Sequence, residues 1–290
     1  MALVNTKEML KKATEGKYAV CAFNVDNFEL ARAAVLAAEE ERAPVIIAVV
    51  EPAYRAMGLY YFANFVRSLA ENTLVPVALH LDHGSSVQSA RECLDAGFTS
   101  VMIDASDKPL KANIKITLEV LKLAEKYDAS VEGEIGHIPG FETESEDLSH
   151  DVVYTDPVEA LEYYKQTGIH SLAVSIGTVH YMRREPLRLD FNLLERIRQI
   201  VDVPIVLHGG AAVTDEDMRS VVQRGVAKYN IAFKVYKAFL MGMHTALDNL
   251  REEVAPGKLF VFPYDVIRSG LEAAKSEMRS KIRLLGSASV

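Results

Sequence analysis

Short apolar, β-branched runs recur along the chain, separated by longer stretches in which apolar positions return at helical spacing. The runs predict strands near Tyr18–Phe23, Val45–Val50, Val75–Leu81, Ser100–Asp104, Ser130–Glu134, Leu172–Ile176, Pro204–His208 and Ala227–Ile231. Between them lie helix signatures. NFELARAAVLAAEEE predicts a helix over Asn27–Glu41, and another spans Asp156–Thr167, with Thr155 or Asp156 as cap and Pro157 at the first helical position. Strands alternating with crossover helices imply a parallel sheet, and continuous apolar runs imply strands buried on both faces. Eight such units predict an α/β fold, a closed (β/α)8 TIM barrel, with an open doubly wound sheet as the other arrangement the pattern allows. The segment Pro263–Leu285 predicts an appended C-terminal helix, packed on the barrel or on a partner subunit.

Composition narrows the picture. A chain of 290 residues with 49% hydrophobic content can bury a full core, so a single barrel domain over 1–290 is expected, with a C-terminal helical extension at about 255–290. The net charge is −8 and basic residues form no long run, which argues against nucleic acid or an anionic membrane as partner and for a small molecule. Cys21 and Cys93 are too few for a disulfide framework, and MALVNTKEMLKKATEGKYAV lacks the apolar core of a signal peptide. With no run of about 18 uninterrupted apolar residues, a soluble cytoplasmic protein is expected.

Three histidines follow three of the apolar runs: His83 closes VPVALHLDH, His180 closes SLAVSIGTVH and His208 closes VPIVLH. One such histidine would read as a polar strand-end residue. Three, far apart in sequence, suggest a catalytic zinc site, which commonly takes three protein ligands and keeps one position open. Asp82, directly before His83, suggests a base. In a barrel of this kind the chemistry sits at the C-terminal ends of the strands, where Asp82, His83, Asp104, Glu134, His180, His208 and Asn230 all fall. The long polar stretch Gly136–Tyr154 and the basic stretch His180–Leu189 lie on that face as lid or specificity loops.

The segments AFNVDNFELARAA, HLDHGSS, FTSVMIDAS, VEGEIG, SLAVSIGTVH, VPIVLHGG and KYNIA, in this order, resemble the class II ketose-bisphosphate aldolases, and the resemblance covers nearly the whole chain. It implies a zinc-dependent retro-aldol cleavage of a ketose through a metal-stabilised enediolate, in a homodimer or homotetramer. His83, His180 and His208 would hold the Zn2+, and Asp82 would exchange a proton with the C4 hydroxyl. Asp104 and Glu134 match acidic positions associated with a second metal or a monovalent cation. Glu142 resembles the mobile-loop acid that handles the proton on the enediolate carbon. Asn24 and Asn230 match residues that contact substrate, and Arg268 resembles the arginine that binds the distal phosphate, often across subunits. His80 reads as a structural hydrogen-bonding residue and His137 as solvent-exposed.

The chain departs from the family where the donor phosphate is cradled. Tyr181 stands where a glycine is usual, Ala211 and Ala212 replace a small or hydroxylated pair after Gly209 and Gly210, and Phe233 replaces a threonine. Val49-Val50-Glu51-Pro52 replaces a serine-containing segment. These changes remove hydroxyl donors, add aromatic rings and bring in a carboxylate, all of which disfavour an anion cradle. The expected substrate is therefore a ketose or ketose phosphate with an altered donor end. The alternatives are an ordinary fructose- or tagatose-bisphosphate aldolase whose phosphate site is rebuilt from Arg55, Arg183, Arg184 or Lys234, and a metal-containing sugar-phosphate binding protein with weak or no catalysis.

Overall fold

The computed structural model describes residues 3–138, 152–180, 188–253 and 262–290, the side chains of 250–253 excepted. The apolar runs form β1 (Val20–Asn24), β2 (Val45–Val49), β3 (Val77–Gly84), β4 (Ser100–Ile103), β5 (Ser130–Ile135), β6 (Ser171–Val174), β7 (Ile205–Leu207) and β8 (Val226–Ile231). Each pairs in parallel with the next, and β8 returns to β1, closing a (β/α)8 barrel. Closure sets aside the open doubly wound sheet, which would leave two edges unpaired.

The period-two pleat explains why the strands read as continuously apolar. Cys21, Phe23, Val45 and Ile47 face outward into the layer beneath the helices, whereas Val20, Ala22, Ile46, Ala48, Ala78 and Ala227 face inward at the N-terminal end. Helix α1 (Thr6–Gly16) caps that end with Met9, Leu10 and Ala13. The remaining helices are α2 (Phe28–Glu41), α3 (Glu51–Met57), α4 (Leu59–Glu71), α5 (Val87–Ala96), α6 (Leu110–Ala124), α7 (Pro157–Thr167), α8 (Phe191–Ile200), α9 (Asp215–Gln223), α10 (Phe233–Glu253) and α11 (Pro263–Leu284). Asn27 caps α2 by accepting from the Leu30 amide. Asp156, not Thr155, caps α7; the Thr155 hydroxyl donates to the Ile135 carbonyl and accepts from the Ser175 amide, tying the ends of β5 and β6 together. The C-terminal α11 packs on α10 and α2 of its own chain. There the buried carboxylate of Glu41 receives Arg279 and Arg283.

Above the apolar layer the barrel interior turns polar. His80, Glu132 and Lys228 point inward from β3, β5 and β8 and are wholly or almost wholly buried. The Lys228 ammonium lies 2.9 Å from each Glu132 oxygen and 3.5 Å from His80 Nε2, while His80 Nδ1 lies 2.8 Å from Ser100 Oγ. His80 is thus the structural hydrogen-bonding residue expected of it. The Lys228–Glu132 attraction is about 6 kcal/mol at an effective dielectric of about 20. Desolvating the two ions costs several kcal/mol each, so the pair is not what stabilises the barrel.

Burial, reinforced by the Lys228 charge, pushes the His80 imidazole down to about 3 from its ordinary 6.5. Between those values the unfolded chain binds a proton that the native barrel refuses, so stability falls as pH drops through this window. Urea unfolding of metal-free protein at pH 7 and pH 5 should show a clear loss for wild type and a smaller one for His80→Gln; equal losses would refute the assignment.

At the C-terminal end of β3 the pairing with β4 shifts register between Leu81 and Gly84. His83 sits in that irregularity with φ 46°, a left-handed conformation that costs a non-glycine residue roughly 1–3 kcal/mol. Gly84 makes the distortion possible, since a Cβ there would lie 2.5 Å from the Met102 carbonyl oxygen. Gly84→Ala should therefore destabilise the protein by about 1–3 kcal/mol in urea titration. An unchanged midpoint would show that β3 and β4 can separate at this point without cost.

Candidate active site

The three histidines meet at the C-terminal mouth of the barrel by three routes. His83 is held in the distorted end of β3, and His208 directly follows β7. His180 is not a strand-end residue: β6 stops at Val174, and the segment Ser175–Val179 carries the chain back to the mouth. Gly209 permits this return. It adopts φ 74°, and a Cβ on it would lie 2.7–2.9 Å from the Val179 backbone, so any larger residue would push His180 away from His208.

The ring centroids of His83 lie 4.8 Å from those of His180 and 4.6 Å from those of His208. His83 Nδ1 is 2.8 Å from Asp104 Oδ2, and His208 Nε2 is 2.9 Å from Glu132 Oε1. When each ring donates its N–H to its carboxylate, the opposite nitrogens, His83 Nε2 and His208 Nδ1, turn lone pairs toward each other across 2.9 Å. Such a pair calls for a cation between or beside them. Burial first, and then the neighbouring imidazoles, holds His180 well below its ordinary value, and burial also lowers His208, which favours the neutral, metal-binding form.

The charge balance points the same way. Asp82, Asp104, Glu132 and Glu134 surround the histidines, and Lys228 is the buried ammonium among them. One nitrogen from each of His83, His180 and His208 falls within a 4.8 Å group, and His83, Asp104 and Glu134 form a second such group. Three imidazoles amid excess carboxylate fit a divalent cation well.

Asp82 is held from two sides. Asn24 Nδ2 donates to Oδ2 at 2.6 Å and Asn230 Nδ2 to Oδ1 at 2.9 Å. The two asparagines flank it because β1 and β8 are neighbours, with Ala22 in register with Asn230. Burial opposes ionisation of Asp82, but the imidazoles of His83 and His208 and the Lys228 ammonium hold its carboxyl well below the usual carboxylate range. It is an ionised, oriented base.

The cavity over this group is walled by Val50, Pro52, Gly209, Gly210, Ala211, Ala232, Phe233 and Tyr236, with Asp26, Glu51 and Asp82 contributing carboxylates. Among the described residues no lysine or arginine lines it. Arg55, itself off the lining, pairs with the wall residue Glu51 and with Glu92, and Lys234 is turned to the Val213 carbonyl and Asp215. Arg268 stands exposed on α11, paired with Asp265 and outside the cavity of its own chain. Glu142, Tyr181, Arg183 and Arg184 lie outside the described residues. His137 differs from expectation: it is half-buried, with Nδ1 3.1 Å from Ser106 Oγ, because its backbone bridges to Val153. Sequence reading missed Glu132 and Lys228 as parts of the site, although their period-two spacing from Glu134 and Asn230 placed them on the same inward faces.

Known proteins match this arrangement over its full extent. The family Fructose-bisphosphate aldolase class-II matches residues 4–289. A fructose-bisphosphate aldolase of Geobacillus stearothermophilus is 40% identical over 99% of this chain and 98% of its own, and one of Staphylococcus aureus is 37% identical over the same shares. The crystal structure of the YdjI aldolase from Escherichia coli K12 superposes with a TM-score of 0.85 at 30% identity, covering 99% of this chain and 98% of that one. With this barrel and this conjunction of histidines and Asp82, the chain belongs to the class II fructose-bisphosphate aldolase family, a family of carbon–carbon lyases.

Proposed function

We propose that this protein is a zinc-dependent class II aldolase that cleaves a ketose or ketose phosphate whose donor end differs from that of fructose bisphosphate. The observation that carries the reading is the conjunction of three converging imidazoles with an ionised Asp82 clamped by two amides. His83, His180 and His208 would hold the Zn2+. When bound, the cation supplies Lewis-acid stabilisation for the negative charge that cleavage leaves on the ketone fragment.

The remaining work falls to the chain. Asp82 takes the proton of the C4 hydroxyl; the C3–C4 bond breaks, the new carbonyl forms on the aldehyde half, and the electron pair passes to the ketone half. Asn24 and Asn230 keep the carboxylate in place, and the Asn230 carbonyl oxygen, buried beside it, accepts from a substrate hydroxyl. Glu142 handles the proton on the ketone-half carbon. Asp104 orients His83 and forms with Glu134 and His83 a second cation group.

The lining supports the altered donor end. Glu51 accepts from the Ser85 amide and hydroxyl at 2.8 and 2.6 Å, which fixes a carboxylate at the cavity wall beside Pro52, Ala211 and Phe233. A phosphate there would face like charge. Arg55 is taken up by Glu51 and Glu92 and Lys234 by Val213 and Asp215, so a rebuilt phosphate site would rest on Arg183 or Arg184. Arg268 serves the distal end from a neighbouring subunit, in a homodimer or homotetramer. The protein works as one barrel unit in the cytoplasm; no helix among the described residues is long and apolar enough to cross a membrane.

Metal analysis and a coupled cleavage assay across phosphorylated and non-phosphorylated ketoses test this reading. Chelation should abolish turnover, and Asp82→Ala should lower kcat by at least about 100-fold. Turnover that survives both would sink the mechanism. Ordinary efficiency on fructose or tagatose bisphosphate would instead sink the altered-donor assignment while leaving the chemistry intact.

A further inference from the structure

Neither member of the buried pair Lys228–Glu132 touches the reacting atoms in the scheme above, yet the pair sits directly beneath His208. Its isolation is unusual, because barrel interiors are normally filled by branched apolar side chains. Glu132 Oε1 lies 2.9 Å from His208 Nε2, and Lys228 holds both carboxylate oxygens at 2.9 Å, with Ser171 Oγ donating to Oε2 at 3.2 Å. Lys228 is fully buried, and its other close contact is His80 Nε2 at 3.5 Å. Since a buried ion pair returns little net stability, an orientational role accounts for it better than a stabilising one.

We infer that Glu132 and Lys228 are positioning residues: Glu132 accepts the Nε2–H of His208, which turns Nδ1 into the pocket as a lone-pair ligand, and Lys228 locks that carboxylate in place. The imidazole has two tautomers, and a fixed acceptor below the ring favours the one whose Nδ1 carries its lone pair toward the cavity, the same form that the Asn230 amide 3.4 Å from Nδ1 favours. The chain of bonds runs from β8 through β5 to the residue after β7, so three strands set one ring. Neither residue would touch substrate.

The inference rests on reading His208 as a metal ligand, and the test separates the two. Lys228→Met alone risks misfolding because it strands a buried carboxylate, so two charge-free double variants are compared: Glu132→Gln with Lys228→Met, and Glu132→Met with Lys228→Met. Both remove the ion pair; the glutamine keeps an acceptor for Nε2–H and the methionine does not. Zn2+ affinity is measured by chelator competition, with the absorption of the Co2+-substituted protein and the 15N spectrum of the metal-free histidines as independent readouts. The glutamine variant should bind Zn2+ within about tenfold of wild type. The methionine variant should bind about 10–100-fold more weakly than the glutamine variant, with a shifted Co2+ spectrum and His208 no longer in a single tautomer. Equal affinities and tautomers in the two variants would overturn the positioning role. If His208→Ala bound the metal as tightly as wild type, the ligand reading itself would fall.

Discussion

Pairing of β8 with β1 is the constraint on which the rest of the architecture depends. It closes the sheet, and the register that closes it sets Asn230 level with Ala22, one inward position before Asn24, so that two amides converge on the carboxylate of Asp82. The same pairing turns Lys228 inward, one inward position below Asn230, where it meets Glu132 from the far side of the barrel. An open sheet with the same strands would bury its apolar surface and still leave these groups apart.

The closed barrel then concentrates charge that an ordinary core would exclude. Burial alone would drive Asp82 and Glu132 toward the neutral acid, but Lys228 and the imidazoles keep both below the usual carboxylate range. Buried charges survive in proteins only when paired, hydrogen-bonded or bound to metal, and pairing and hydrogen bonding both operate here within one layer. The local backbone pays toward the same end: His83 holds a left-handed conformation at the close of β3, and Gly209 gives up its side-chain space to the loop that delivers His180.

Much of this was legible in the chain itself. Continuous apolar runs alternating with helical stretches announce a parallel barrel, because a strand buried on both faces has no polar side to show. His83 and His208 stand out as polar residues at the ends of apolar runs. Other parts were hidden. Glu132 and Lys228 lie inside apolar runs, where a charged residue reads as a surface exception until its partner across the barrel is known. His137 looks exposed in a polar stretch, and only the bridge to Val153 and the contact with Ser106 bring it in. His180 looks like a strand end because Ser175–Val179 is apolar enough to continue β6, whereas the backbone leaves the sheet at Val174.

The sequence by itself determined the element order, the closed parallel barrel as the leading topology, and the residue types able to hold a metal and move a proton. These depend on local periodicity and on side-chain chemistry, which each segment carries with it. Only the tertiary structure decided which nitrogens of His83 and His208 face the mouth, which amides orient Asp82, and which cations stand away from the cavity wall. Those are outcomes of register and of contacts between strands far apart in the chain, and hydrogen bonds a few tenths of an ångström in tolerance exist only once the barrel has closed.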